Sequence, residues 1–139
     1  MRPAGRAAAA IDVLREIEER HRPASEALKD WGRAHRFAGS GDRAAIGNLV
    51  YDVLRKKALL AHLMEDGSPR SLVLAALRHG RGMAAVEVAA LAAEQHGPGD
   101  LSEAERALLE RQEPGSMPDW VAGSYPEWLR GSFARAFEA

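Results

Sequence analysis

Five histidines, His21, His35, His62, His79 and His96, are the side chains best suited to proton transfer or metal binding near neutral pH. No two stand three or four residues apart, the spacing that puts a ligand pair on one helix face. They read as helix-end or surface groups. Cysteine is absent, which excludes disulfides, thiolate metal sites and cysteine nucleophiles from this chain. Ser40-Gly41-Asp42 resembles part of a phosphate loop, but no Gly-Lys-Ser/Thr follows it. Gly80-Arg81-Gly82 is too short for a dinucleotide fingerprint, and there is no Gly-x-Ser-x-Gly elbow. The carboxylates of Glu18-Glu19 and of Glu103 and Glu105 fall on solvated helix faces. Neither a catalytic constellation nor a metal set results.

The remaining chemistry is phosphate neutralisation. Arg2 and Arg6 lead into the first helical stretch. Arg33, Arg36 and Arg43 surround the turn Phe37-Ala38-Gly39-Ser40-Gly41. Arg55-Lys56-Lys57 places three positive charges on little more than half a helical turn. Such groups bind phosphates and make binding sensitive to salt. The alternative is an ordinary helical surface, with 55–57 favoured near a helix C-terminus by the dipole. The net charge of −1 hides an asymmetry: residues 1–57 carry 12 Lys/Arg against 8 Asp/Glu, and residues 82–139 carry 4 against 10. A basic first part points to one surface for an anionic partner. The modest excess predicts weak affinity for nucleic acid from this chain alone. Near the end, Trp120, Trp128 and Phe133 read either as anchors for a neighbouring domain or as inter-helix packing.

These groups need a scaffold, and its class is legible. At 139 residues with 46% hydrophobic and 6% aromatic content, the chain can bury a core of its own. Abundant alanine and few β-branched residues favour closely packed helices. The spacing predicts six to eight helices and no strand. A first helix runs from about Arg6 to His21, and a second is opened by Pro23. A long third, with Ile46, Leu49, Val50 and Val53 on its apolar stripe, extends to about Met64. Ser40 or Asp42 is expected to cap it. Ser68 and Pro69 start a fourth helix that ends at Gly80. Met83 to Gln95 forms another, and Ser102 with Glu105 has capping-box spacing. Two short helices follow, Pro118 to Val121 and Pro126 to Phe137. Residues 1–113 read as one helical domain and 114–139 as a linker with terminal helices. No run reaches the ~18–20 apolar residues of a membrane span, and Asp12, Arg15 and Glu16 interrupt the apolar start too early for a signal peptide.

Asp42-Arg43-Ala44 together with Leu49-Val50-Tyr51-Asp52-Val53-Leu54-Arg55 resembles the third-helix signature of the NusB-type all-helical RNA-binding fold. Tyr51 and the Leu54-Arg55 ending make it similar to the N-terminal domain of the Sun/Fmu family of ribosomal RNA cytosine-5 methyltransferases. Arg6-Ala7-Ala8, Ser68-Pro69-Arg70 and Leu77-Arg78-His79-Gly80 suit the same pattern. Pro118-Asp119-Trp120-Val121 and Tyr125-Pro126-Glu127-Trp128-Leu129 look like the segment leading to the catalytic part. The resemblance spans nearly the whole chain. It implies an RNA-binding accessory domain without catalysis of its own. Chemistry and the cofactor S-adenosylmethionine would belong to a downstream domain, near whose expected start this chain stops.

Two functions of different class follow. In the first, the chain is cytoplasmic and holds ribosomal RNA, with Arg2, Arg6, Arg43, Arg55, Lys56 and Lys57 on phosphates, positioning the RNA more than reading its sequence. In the second, it is a protein-interaction module of the antitermination-factor type, docking on a catalytic domain or protein partner through Trp120, Trp128 and Phe133. A stand-alone enzyme is the third reading, and no residue set supports it.

Overall fold

The computed structural model describes residues 1–111. Seven α-helices follow in order: α1 (Pro3–Arg20), α2 (Ala24–Ala34), α3 (Ser40–Arg55), α4 (Lys57–Met64), α5 (Pro69–Ala75), α6 (Ala85–Ala93) and α7 (Glu103–Arg111). There is no strand among the described residues. The architecture is an all-α bundle, as composition and periodicity predict. The two terminal helices expected within 114–139 lie outside the described residues, as do Trp120, Trp128 and Phe133.

Helix α1 starts with Pro3 in its first turn, where the missing N–H is harmless. It buries Ala4, Ala7, Ala9, Ala10, Ile11, Val13 and Leu14, too many directions for one stripe. The short alanine side chains let α2, α3, α5 and α6 all approach it. Helix α5 is buried from Ser71 through Ala75, enclosed by α1, α3, α4 and α7. Its start is fixed as the sequence predicts: Pro69 occupies the first turn and Ser68 Oγ accepts from the Ser71 N–H at 3.3 Å. Asp66 adds a second tie, accepting from Ser71 Oγ at 2.6 Å and Ser68 Oγ at 2.5 Å. These hydroxyl donors hold the Asp66 carboxyl below its usual range. Beyond Ala75 the helix widens into a single π-helical turn, Ala76–Gly80.

Three expectations need correction. The predicted long third helix is two. It breaks at Lys56, where φ is −113° and ψ is 20°. Val50 and Val53 are buried, and a straight helix would carry Lys57, seven and four residues further on, onto that same face. An ammonium group there would be desolvated. The bend leaves Lys57 exposed and brings Leu59 and Leu60 into the interior. Ser40 is not the cap of α3. Gly39 holds that position, and Asp42 reaches back to accept its N–H at 3.3 Å. Finally, His79 is no surface histidine: it is 7% exposed, inside the π-turn. The capping box of α7 forms as its spacing predicts. The Ser102 N–H donates to Glu105 at 2.9 Å, and the Glu105 N–H donates to Ser102 Oγ at 3.1 Å.

Candidate nucleic-acid interface

The bend at Lys56 gathers positive charge. Arg55 ends α3, Lys57 begins α4, and Lys56 lies between them. Asp52, one turn earlier on α3, pairs with Arg55. It also pairs with Arg81, which follows the π-turn. Arg78 points inward from that turn, donating to the carbonyls of Leu109 at 3.0 Å and Met83 at 3.1 Å. The pKa of His79 is pushed down, first by burial and then by the charges of Lys56 and Arg78. One corner of the bundle therefore carries Arg55, Lys56, Lys57 and Arg81, with Asp52 pairing two of them. Lys56 and Lys57 have no ion-pair partner among the described residues.

The other predicted phosphate ligands have different surroundings. Arg6 lies across α3, its Nε 2.9 Å and its Nη2 2.7 Å from Asp42 Oδ1. That hydrogen bond is the main cause holding the Asp42 carboxyl below its ordinary range, and the Gly39 N–H adds to it. Arg2 pairs with Glu94 at 2.9 Å and is otherwise open to solvent. Arg43 extends past Gly32 of α2, with no ion pair among the described residues. The structure thus brings Arg55, Lys56 and Lys57 together, with Arg2 and Arg6 at the start of α1 and Arg43 at the opposite end of α3.

A groove of about 340 Å³ connects part of this surface. It lies between α1, α3, α6 and the π-turn, with Arg6, Asn48 and Arg81 on its polar side and Leu49, Leu77 and Met83 on its apolar side. Arg81 and Asp52 join this corner although neither is among the phosphate ligands expected from the sequence. Asp52 stands three residues before Arg55, a legible helical pair. The approach of Arg81 from a distant element left no local signal. No cluster of His, Asp and Glu placed to hold a metal occurs among the described residues. None of their helices is long and apolar enough to cross a membrane. Comparison with known proteins gives no match: neither a family model, nor a curated protein, nor a solved structure matches the chain.

Proposed function

We propose that this chain is an RNA-holding accessory domain of the NusB type. It would be the N-terminal part of a cytoplasmic, S-adenosylmethionine-dependent ribosomal RNA cytosine-5 methyltransferase, with the cofactor and the chemistry in a separate catalytic domain. The observation that carries the reading is the cationic corner at the α3–α4 bend, where Lys56 and Lys57 stand unneutralised and Arg55 and Arg81 share Asp52. A helix that stops at Lys56, and so leaves Lys57 exposed instead of buried, supplies charges for a phosphate backbone. Contacts of this kind hold and orient RNA without reading bases.

The test is a titration of the chain with a fragment of small-subunit ribosomal RNA across salt concentration. For duplex, each phosphate neutralised adds about 0.9 to the slope of log K against log salt. The triple variant Arg55→Gln, Lys56→Gln, Lys57→Gln should therefore lose about two to three units of slope. Absence of binding at low salt, or an unchanged slope in the variant, would overturn the reading.

A second reading has its own observation. Tyr51 and Leu54, three residues apart on α3, are exposed apolar side chains next to the same corner. They favour a protein-interaction module in which a partner covers this strip. Such docking would be weakly salt-dependent and would survive the triple variant but not Tyr51→Ser with Leu54→Ser.

A further inference from the structure

We infer that the aromatic ledge at the end of α2 is a stacking site for one unpaired nucleobase of single-stranded RNA; this deepens the RNA-holding reading and rests on it. The ledge is built from three rings. Trp31 and His35, one helical turn apart, stack with centroids 4.3 Å apart and planes 11° from parallel. The His35 ring is further held by Nδ1 at 2.8 Å from the Trp31 carbonyl oxygen. Phe37 then meets His35 edge-on at 5.8 Å and 75°. Most of Phe37 is left open to water by the fold: it is 75% exposed. A large aromatic ring held by a T-shaped contact and mostly open to water is a platform of the kind on which bases stack.

The space beside the ledge is large enough to admit a base, and polar side chains form part of its lining. A pocket of about 560 Å³ is bounded by Trp31, His35 and Phe37 on one side and by Gly5, Ala8 and Ala9 of α1 on the other. Glycine and alanine keep the α1 wall low at Ala8 and Ala9, and the Met1 side chain lies over Gly5. Asp12 and Gln95 at the rim offer an acceptor and an amide to the hydrogen-bonding edge of a base. Arg36, next to Phe37, has no ion pair among the described residues and Arg2 lines the pocket. Both suit the phosphates flanking a flipped-out nucleotide. Single-stranded RNA is recognised through this combination of stacked bases and nearby cations.

Stacking and phosphate binding are separable, because only the second releases counterions. The probe is a fluorescein-labelled seven-nucleotide adenosine RNA, its counterpart with abasic nucleotides at every position, and the same sequence as duplex. Anisotropy would be read for the chain and for Phe37→Ala, whose exposed side chain can be removed without opening the core. Base stacking contributes about 1–3 kcal/mol per base, or roughly 5- to 150-fold. Phe37→Ala should therefore weaken binding of the single strand at least five-fold. It should leave the salt slope unchanged and scarcely alter binding of the abasic strand or the duplex. Phe37→Trp should restore affinity. Equal affinity of Phe37→Ala and the parent for the single strand, with salt-sensitive binding retained, would overturn the stacking site and leave the RNA-holding reading standing. No binding of any RNA at low salt would overturn both.

Discussion

Arg70→Met should destabilise the bundle by about 2–3 kcal/mol, because this arginine is spent on the fold. Its Nε and Nη2 donate to the Glu105 carboxylate at 2.8 and 3.1 Å. Its Nη1 donates to the Pro98 carbonyl at 2.6 Å, and Nη2 donates to those of Gly99 at 3.1 Å and Asp100 at 2.9 Å. One guanidinium thus joins α5 to α7 and to the loop before it. Hydrogen bonds to a charged group contribute about 1.5–3 kcal/mol each in isolation, but those of one network do not add. Removing one partner of a fully buried pair costs about 3–5 kcal/mol, whereas an exposed pair contributes about 0–1. The Arg70 and Glu105 side chains are 25% and 18% exposed, which sets the expectation between these limits. Methionine keeps the apolar stem, so the loss reports the head group. For a domain of this size, 2–3 kcal/mol corresponds to a fall in Tm of roughly 10 °C. Urea unfolding at pH 7, followed by far-ultraviolet circular dichroism, gives the number. Adding Glu105→Gln to Arg70→Met should recover part of the loss, since it removes the stranded carboxylate. A change under about 0.5 kcal/mol in the single variant would refute the clamp.

Glu105 is held below its ordinary range, chiefly by Arg70. Its contribution is therefore present above the unfolded-state value and disappears as pH falls through the folded-state value. Acid unfolding of Arg70→Met should lack that component, which a urea series between pH 3 and 6 would read. His79 is pushed down from 6.5 by burial, so the unfolded chain takes up a proton at a pH where the folded one does not. Stability should fall as pH drops below about 6.5, and His79→Gln should flatten that slope; equal slopes would contradict it. Gly97→Ala should destabilise by more than about 1 kcal/mol, because a Cβ there would lie 2.8 Å from the Leu91 carbonyl oxygen and 2.9 Å from that of Glu94, both backbone atoms. Ile46→Ala, at a wholly buried position of α3, should cost about 2–5 kcal/mol in the same urea assay.

The helical class, the apolar stripe of α3, the Ser68–Pro69 start and the Ser102–Glu105 box were all readable because each depends on neighbours three or four residues apart. What the sequence concealed depends on partners far along the chain. Arg6 meets Asp42 and Arg70 meets Glu105 across 36 and 35 residues, and nothing local distinguishes them from arginines on an open surface. The bend at Lys56 falls between these cases. Neither glycine nor proline marks it, yet Lys57 at the continuation of a buried stripe is a local conflict that a register count exposes. His79 was hidden for a related reason. Its place beside Gly80 reads as a helix end at the surface, whereas the π-turn keeps it inside the bundle.

The same distinction ranks the cations proposed to meet RNA. An arginine that already holds a carboxylate binds phosphate only by exchanging one anion for another, so its net contribution depends on what the abandoned carboxylate loses. For Arg2 and Glu94 the loss is small, because the guanidinium side chain is 80% exposed and water screens the pair. Arg55 is also exposed, and Asp52 retains Arg81 when Arg55 leaves. Arg6 is different. Asp42 is 12% exposed at its side chain, accepts the Gly39 N–H that starts α3, and without Arg6 keeps as ion-pair partner among the described residues only the Met1 ammonium at 3.5 Å, so withdrawing Arg6 weakens the α1–α3 contact and the helix start together. Lys56, Lys57 and Arg43 forfeit no ion pair among the described residues. The expected order of loss in salt slope on single replacement by glutamine is then Lys56, Lys57 and Arg43 first, Arg55 and Arg2 next, and Arg6 last. Arg6→Gln should lower stability more than it lowers RNA affinity. A basic surface counted from composition treats these six as equal, and their ion-pair partners are what divide them.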